Sequence, residues 1–489
     1  MKKLLSLFLA LLLVSALIPA AQASERVVIQ LTRPTFNLLA SDLSQVKKVE
    51  KAINDYIADK INVEIRLRDV GSDNYPMKVR PALEAGEINL LWTASWETGI
   101  STDQLVAEKL VYDITDLLPG SPLYASMSVD QWEITRYQDR NYYIPVYKDN
   151  VEGYDVMFRK DLVDAHGWDI YSVDSLEDLE PMLAEAKADG IRFPFLTQKT
   201  PMFFRWFLDR FDFITGNPAS NFIAVDRETN QVVNTLQTPE YARFAKLMGS
   251  WVEKGYISLD DVNRLTSDTT MKTKSWAISW WTDVPVNREA SQRYGQEVVM
   301  RNLTDRYAHS NSSLGSCYCI TASSTPRQAR AAIDFLGLLF TDRTLADMYT
   351  FGIEGEDFDY TQTESQSIRH VTQHSSKYNH SMWECSSAMV VTPLANEPDI
   401  KDNLYIDFNG GAEISVAAGF RPDITPVEEA YRACLKLFDQ YGFILENGGV
   451  PAGEVDARLA EYQAALDEAG YQQILSEFTR QYDAWKAQQ

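Results

Sequence analysis

The sequence predicts an α/β fold of two lobes, each a sheet flanked by helices. Three observations predict it. Strand-like and helix-like segments alternate over residues 26–92, which is typical of a parallel sheet covered by helices. A similar mixture of segments begins again near residue 142. Removal of an N-terminal leader leaves 466 residues, which is more than one hydrophobic core usually holds.

Residues 1–23 have the features of a secretory signal peptide. Lys2 and Lys3 precede an apolar stretch that is short for a membrane span, and Ala21-Gln22-Ala23 is a small-x-small cleavage site. No later apolar run approaches the roughly 20 residues that a span requires. The mature protein is therefore expected to be soluble and exported, in the periplasm, the cell envelope or outside the cell.

The mature chain is expected to be strongly acidic. The formal net charge of the whole sequence is −23, and it becomes −25 when Lys2 and Lys3 are removed. An acidic balance without charge blocks disfavours nucleic acid and anionic lipid as partners. It also disfavours anionic substrates, unless a local basic pocket overrides it.

The four cysteines leave the disulfide state open. Cys317 and Cys319 are two residues apart in a strand-like run, so they point to the same face and are not expected to bond each other readily. A bridge from this pair to Cys385 or Cys434 and a set of four buried thiols both fit an exported chain.

The first unit follows the order β-α-β-α-β. Between its first two strands, apolar side chains recur at helical spacing: Val46, Val49, Ile53 and Ile57. Its third strand is INLLW, residues 88–92. In open sheets of this class, ligands bind outside the carboxyl ends of the strands. Residues 92–97 therefore lie where a binding site is expected.

Later segments continue the same pattern. Strand-like residues 142–146 and 154–158 open the second unit, and helical segments follow. Thr325 and Gln328 have the spacing of a capping box at the start of a helix. From Thr425 onward the chain is predicted to be largely helical.

Six segments, in this order along the chain, indicate a family. They are TASW (93–96), YIPVYKDNVEGYDVMFRKDLVDAHGWD (143–169), LEDLEPMLAEAK (176–187), RYGQEVVMRNLTDRYAHSNSSLGSCYCIT (293–321), YTFGIEGEDFDY (349–360) and AAGFRPDITPVEEAY (417–431). Together they resemble the extracellular solute-binding proteins of ABC transporters, in the carbohydrate-type family. More narrowly, they resemble its lipoprotein-like branch, which has a C-terminal domain of unassigned role.

The resemblance implies the type II periplasmic-binding-protein fold. Two α/β lobes would be joined by hinge strands, and hinge closure would bury a ligand between them. The implied crossings between the lobes lie near residues 144–150, 298–304 and 353–360. The implied lobes are residues 24–146 with 304–355 for lobe 1, and residues 147–303 with 356–489 for lobe 2.

The same resemblance implies a function. The chain is expected to be the extracytoplasmic substrate-binding component of an ABC importer, a monomer that captures a carbohydrate, in particular an oligosaccharide. It would deliver this ligand to membrane permease subunits without a cofactor and without catalysis. Many relatives have a lipid-attachment cysteine directly after the signal peptide, but Ser24 and Glu25 follow it here. The sequence therefore gives no indication of a lipid anchor.

A sugar site combines aromatic rings, which stack on C–H faces, with polar side chains that bind hydroxyls. Ten residues in predicted strand ends, hinges and loops fit this description: Tyr75, Trp92, Ser95, Trp96, Glu97, Tyr147, Trp280, Trp281, Asp283 and Trp383. For several of them a structural role is an alternative. Trp92 could be a core residue, Tyr75 could anchor a turn, and Tyr147 could pack at the hinge. Strand alternation also allows only one of Trp280 and Trp281 to face the cleft.

Two other classes of function remain open at this point. An exported carbohydrate-active enzyme would use paired carboxylates such as Glu97 and Asp283, but no nucleophile motif, zinc signature or P-loop occurs. A receptor for peptides or another polar solute would suit the same fold. His370, His374 and His380 lack a further ligand at a recognised metal spacing, so a solvated loop without metal is predicted for them.

Overall fold

The computed structural model describes residues 25–36, 42–197, 202–259, 271–281, 284, 290–291, 294–362, 367–374 and 377–489. The predicted signal peptide and Asp283 lie outside the described residues. Within the described ranges, no helix combines the length and apolar character that a membrane crossing needs.

The elements used below are defined here. The strands are β1 Val27–Thr35, β2 Val63–Gly71, β3 Leu90–Thr93, β4 Tyr143–Pro145, β5 Asp155–Arg159, β6 Phe211–Asp212, β7 Ile223–Asp226, β8 Gln231–Asn234, β9 Ile278–Trp281, β10 Val298–Asn302, β11 Tyr307–Ala308, β12 Cys317–Ile320, β13 Phe358–Thr361, β14 His370–Gln373 and β15 Glu413–Ile414. The α-helices are α1 Leu43–Ile57, α2 Tyr75–Glu84, α3 Thr102–Ala107, α4 Pro122–Ala125, α5 Val129–Ile134, α6 Lys160–His166, α7 Glu180–Ala188, α8 Met202–Trp206, α9 Pro239–Glu253, α10 Ser310–Ser313, α11 Pro326–Leu339, α12 Arg343–Phe351, α13 Lys401–Gly410, α14 Glu428–Leu437, α15 Phe443–Glu446, α16 Val455–Glu468 and α17 Tyr471–Lys486.

The first lobe is built on a five-stranded sheet in the order β2-β1-β3-β12-β4. Strand β1 pairs in parallel with β2 and with β3, so the carboxyl ends of these three strands meet at one edge. Strand β12 is antiparallel to both of its neighbours, β3 and β4. Because β12 comes much later in the sequence than the other four strands, the lobe is assembled from separate stretches of chain.

Two helices of this lobe form where the sequence predicts them. Asp42 caps α1 and accepts hydrogen bonds from the backbone N–H groups of Ser44 and Gln45. The predicted apolar face of α1 is buried in the first core: Val46, Val49, Ile53 and Ile57. Thr325 and Gln328 form the predicted capping box at the start of α11.

The second lobe contains the sheets β10-β5-β9 and β6-β7-β8. Strand β5 is antiparallel to β10 and to β9, and its side chains alternate between two apolar clusters. Val156 and Phe158 face the main core of this lobe, whereas Met157 faces a smaller cluster on the other side of the sheet. Helices α14, α16 and α17 complete the main core. The helical C-terminal part of the chain therefore belongs to the second lobe.

The two main cores show where the lobes divide. The first core takes side chains from residues 29–146 and 314–391, and the second from residues 154–278 and 417–482. The predicted third crossing at residues 353–360 differs from this packing, because residues 358–391 still belong to the first core. Strands β13 and β14 form a hairpin there, and its apolar residues need the first core for burial. The passage to the second lobe lies after residue 391.

A buried ionic network fastens this late segment to the first sheet. Arg33 on β1 donates from Nε to Asp69 Oδ1 over 2.9 Å, and His380 Nε2 lies 2.9 Å from Asp69 Oδ2. Arg33 also donates to the carbonyl oxygen of Tyr349 and to the hydroxyl of Tyr378. The side chains of Arg33, Asp69 and His380 are at most 1% exposed. The network thus ties residues 378–380 to the ends of β1 and β2.

The network shifts the pKa values of its members. Burial acts to raise the pKa of Asp69, but the charges of Arg33 and His380 outweigh it and hold this pKa well below its usual range. Burial and the Arg33 charge act to lower the pKa of His380, but Asp69 and Glu384 outweigh them and raise it above its ordinary value. Each partner therefore favours the charged form of the other.

The prediction of a solvated histidine loop is wrong for two of its three residues. His370 has no exposed surface, and its ring nitrogens lie 2.8 Å from the carbonyl oxygen of Leu394 and 2.7 Å from the carboxylate of Asp399. His380 is buried in the network described above, whereas the side chain of His374 is 41% exposed. The polar composition of the segment gave no sign of carboxylate partners that lie far away in the sequence.

The four cysteines are buried free thiols. Cys317, Cys319 and Cys385 lie in the first core and Cys434 lies in the second. Burial raises their pKa values, that of Cys434 to about 12, so they remain protonated thiols.

The buried network predicts a defined pH dependence of stability. Stabilisation through Asp69 should be present above about pH 4 and should be lost as the pH falls through its lowered pKa. Stabilisation through His380 should be complete below about pH 6.5 and should be lost as the pH rises through its raised pKa. Urea unfolding between pH 4 and pH 9 should therefore show a decline above about pH 6.5 that is smaller in His380→Gln than in the wild type.

His374→Gln is the matched control, because it removes an exposed imidazole and should leave the decline in place. An unchanged decline in His380→Gln would contradict the role given to the network.

Candidate functional site

The stretch that follows β3 is a tight turn at the carboxyl edge of the first sheet. The N–H of Glu97 donates to the carbonyl of Ala94, and the N–H of Ile100 donates to the carbonyl of Glu97. The N–H of Ser95 donates to Leu314, just before β12. These bonds hold residues 94–97 at a defined place beside the segment that enters β12.

Two of the predicted site residues belong to the core beneath this turn. Tyr75 and Trp92 have no exposed surface. The Tyr75 hydroxyl donates to the carbonyl of Trp92 over 2.8 Å, and the Trp92 indole N–H donates to Ser316 Oγ over 2.9 Å. Because their polar atoms already have partners inside the lobe, we leave both residues out of the candidate site.

Trp96 lies above Trp92 and is 39% exposed. Its indole N–H donates to the carbonyl of Gly315 over 2.7 Å. Phe36, at the end of β1, lies 6.1 Å from the Trp96 ring and 4.7 Å from the Trp383 ring, centroid to centroid. Trp92 packs edge-on against Trp96 and Trp383 from below. We call Phe36, Trp96 and Trp383 the aromatic patch; its three rings are all partly exposed.

The sequence did not single out Phe36, although a signal was present. It follows β1, which is parallel to β3, so its position at the same edge as Trp96 follows from the topology.

Polar groups border the aromatic patch. Ser95 is buried, and its hydroxyl donates to the carbonyl of Asn311 over 3.1 Å, so it holds the turn in place. Glu97 is half-buried, and burial raises the pKa of its carboxyl to about 7. Tyr147 is half-buried at the first crossing, where its backbone pairs with Ser387. Glu97 can therefore gain or lose a proton near neutral pH beside Trp96.

In the second lobe, Trp280 and Trp281 point to opposite sides of β9, as strand alternation predicts. Trp281 is only 5% exposed and packs edge-on against Tyr294 in the smaller cluster, so it lies outside the candidate site. Trp280 is half-buried, and its indole N–H donates to the carbonyl of Thr197 over 3.0 Å. Of the two residues, only Trp280 keeps a partly exposed ring.

Arg205 covers part of Trp280. Its guanidinium carbon lies 4.1 Å from the centroid of the indole, and Nη1 donates to the Tyr154 hydroxyl over 3.0 Å. This stacked position depends on aromatic neighbours that are distant in sequence, Trp280 on β9 and Tyr154 just before β5.

A polar strip joins the two groups of aromatic residues along the chain crossings. Gly315, whose carbonyl accepts a hydrogen bond from the Trp96 indole, lies close to Lys148. A Cβ atom added to Gly315 would lie 3.9 Å from Lys148 Nζ. Beyond Lys148, the Glu152 carboxylate lies 3.1 Å from His309 Nε2. Burial acts to raise the pKa of Glu152, but it is outweighed by the charges of His309, Arg205 and Lys148, which lower it. The strip therefore contains charges of both signs between Trp96 and Trp280.

Comparisons with known proteins identify the fold. A crystal structure of the N-glycan transport solute binding protein (NgtS) from Streptococcus pneumoniae superposes with a TM-score of 0.79 and 20% identity over 94% of this chain and 99% of that chain. Its complex with Man5GlcNAc gives a TM-score of 0.71 and 19% identity over 94% and 98% of the two chains. This chain has the type II periplasmic-binding-protein fold.

Two comparisons of sequence add to this result. A curated protein of Streptococcus pneumoniae serotype 4, named carbohydrate ABC transporter substrate-binding protein, is 22% identical over 443 residues, which are 88% of this chain and 86% of the relative. The model of a domain of unknown function, DUF3502, matches residues 416–487. The resemblance and the fold class inferred from the sequence motifs are confirmed.

The different positions of Trp92 and Trp96 predict different effects on stability. Trp92→Ala should lower the free energy of unfolding by about 3–5 kcal/mol, because it removes a fully buried ring from the core. Trp96→Ala should lower it by less than half as much, because part of this ring is already exposed to water. Urea unfolding of the two variants measures the difference. An equal loss in both variants would show that Trp96 is a core residue like Trp92.

Proposed function

We propose that the chain is the extracytoplasmic substrate-binding component of an ABC importer for an oligosaccharide. The ligand would bind between the lobes, against the aromatic patch on one side and Trp280 on the other. Hinge closure would bury it, and the protein would then release it unchanged to permease subunits in the membrane. The protein would act as an exported monomer without a cofactor.

The aromatic patch is the observation that carries the proposal. A monomeric soluble protein rarely leaves several large rings clustered and partly exposed unless they meet a partner. Phe36, Trp96 and Trp383 lie together at the carboxyl edge of the first sheet, which is where open α/β sheets bind ligands. Rings of this kind suit the C–H faces of sugars, and the neighbouring Glu97 suits their hydroxyls.

The second lobe supplies one aromatic ring and several polar side chains to the proposed site. Because Arg205 covers part of the Trp280 ring, a ligand could stack only on the ring surface that Arg205 leaves uncovered. Lys148, Glu152 and Arg205 can donate to or accept from hydroxyl groups along the strip. This mixture suits a neutral, hydroxyl-rich ligand better than a strongly cationic peptide, because basic side chains accompany the acidic ones.

The relatives support the same class of ligand. The curated relative is named for a carbohydrate transporter, and the related solute binding protein was crystallised with Man5GlcNAc. Both names describe binding proteins, which supports capture without chemistry. The predicted signal peptide supports export, and the expected permease partners follow from the transporter context of these names.

A binding screen tests the proposal. We expect Man5GlcNAc or another oligosaccharide of a glycan panel to bind at about micromolar Kd, which corresponds to about −8 kcal/mol and permits release to a permease. Trp96→Ala together with Trp280→Ala should weaken binding at least tenfold by calorimetry while the fold is kept. Tyr171→Ala, which removes an exposed ring far along the chain from both groups, should leave binding unchanged.

Mass spectrometry after incubation should recover the glycan intact. Cleavage would favour the exported enzyme, and binding of peptides without glycans would favour the alternative receptor. Unchanged glycan affinity in the double variant would refute the proposed site.

The raised pKa of Glu97 predicts a pH dependence of binding. The carboxylate form accepts stronger hydrogen bonds from sugar hydroxyls than the protonated form. Since burial raises the pKa of Glu97 to about 7, affinity for a bound glycan should increase as the pH rises from 6 to 8. Calorimetry at several pH values should show this increase in the wild type and none in Glu97→Gln. The same slope in both proteins would exclude Glu97 from the site.

A further inference from the structure

The C-terminal segment contacts the first lobe through a buried arginine. Residues 416–487 pack mainly in the second core, where Phe420, Tyr431 and Tyr482 are buried. The next residue after Phe420, Arg421, does not join them in the core. Its side chain is 1% exposed, and Nη1 lies 3.1 Å from Asp103 Oδ1 on α3 of the first lobe. The side chain of Asp103 is 14% exposed, so this ion pair between the lobes is largely, but not fully, enclosed by protein.

Asp103 receives donors from both lobes. The Tyr137 hydroxyl of the first lobe donates to Asp103 Oδ1 over 2.6 Å, and the N–H of Gly216 in the second lobe donates to Oδ2 over 3.1 Å. The guanidinium of Arg421 also lies 4.4 Å from the centroid of the Tyr137 ring and donates to Asn311 Oδ1 over 3.0 Å. Both oxygens of the partly buried Asp103 carboxylate are therefore hydrogen-bonded, which offsets the cost of removing part of this charge from water.

The same contact reaches the candidate ligand site through Ser95. The carbonyl of Asn311 accepts from the Ser95 hydroxyl, and the Asn311 side chain donates to the carbonyl of Phe213 in the second lobe over 2.7 Å. Gly216 packs directly on Ser95, since a Cβ at position 216 would lie 2.6 Å from the Ser95 carbonyl oxygen. Trp96 and Glu97 follow Ser95 immediately, so the lobe contact supports the turn that presents them.

We infer that Arg421 is a positioning residue through which the C-terminal segment holds the two lobes together and fixes the Ser95–Glu97 turn before ligand binds. This gives a role to the domain of unknown function that matches residues 416–487. The part that concerns ligand affinity depends on the proposed function, whereas the part that concerns the lobes does not. Loss of Asp103 would leave the buried guanidinium of Arg421 without its opposite charge, so the contact resists separation of the lobes at this point.

Hydrogen exchange of the ligand-free protein tests the lobe contact. Arg421→Met and Asp103→Asn should each increase exchange at least tenfold in peptides that cover residues 95–103 and 213–216. The double variant should exchange no faster than the faster single variant, because both changes break one contact. Arg480→Met is the matched control: it removes an exposed arginine of the same segment that pairs with Glu477 on its own helix, and it should leave both peptides unchanged.

Gly216→Ala provides a second route if loss of the ion pair impairs folding. It keeps every charge but places a methyl group against Ser95, so it should increase exchange in the same two peptides. Unchanged exchange in Arg421→Met and in Gly216→Ala would overturn the inference, as would increases that add up in the double variant.

Binding of Man5GlcNAc then tests the positioning role. We expect Arg421→Met to dissociate at least ten times faster than the wild type and Arg480→Met to dissociate at the wild-type rate. Equal dissociation rates in all three proteins would overturn the positioning role. If the wild type binds no glycan of the panel but exchange rises as expected, the proposed function fails and the role of Arg421 in holding the lobes stands.

Discussion

The insertion of strand β12 between β3 and β4 is the constraint on which the rest of the structure depends. This strand pairs with β3 through residues 317–320 and with β4 through residues 317–319, although more than 150 residues separate it from either one in sequence. Because most of the second lobe lies between β4 and β12 in sequence, the chain must leave the first lobe after β4 and return to it at β12. The crossings between the lobes, which would border the proposed ligand site, follow from that one antiparallel register.

The same insertion organises the candidate site. Just before β12, the carbonyl of Gly315 accepts a hydrogen bond from the Trp96 indole, and Ser316 Oγ accepts one from the Trp92 indole. The position of β12 therefore fixes both rings. Trp92 then lies in the sheet and supports the partly exposed rings above it. A partly exposed ring keeps a defined orientation only when the residues it packs against are themselves fixed. Here the buried indole of Trp92 packs against Trp96 and holds its ring in place. The aromatic patch is therefore an extension of the core of the first lobe.

Local signals in the sequence predicted part of this structure well. The apolar spacing of residues 46–57 and the capping box at Thr325 depend on neighbours within a few residues, and the structure confirms the helices that they predict. The strand that ends near Trp92 is likewise confirmed, because the end of a buried strand is visible in the sequence. The sequence names the core as an alternative place for Trp92 but does not decide it, since the insertion of β12 determines which ring is covered.

Other features depended on partners far away in the sequence. The network of Arg33, Asp69 and His380 joins positions more than 300 residues apart, so a polar segment gave no hint that His380 is buried. The predicted third crossing at residues 353–360 comes too early for the same reason, because residues 358–391 gain their burial from the first lobe. Arg205 gave no sign of its stacked position, because Trp280 and Tyr154 reach it only in the folded lobe.

Capture of one ligand by both lobes at once can be measured most directly by hydroxyl-radical footprinting during a titration with Man5GlcNAc. Trp96 in the first lobe and Trp280 in the second should lose reactivity together, along a single saturation curve, while the exposed Tyr171 keeps its reactivity. Protection of only one of the two tryptophans, or of neither at saturating glycan, would contradict binding between the lobes.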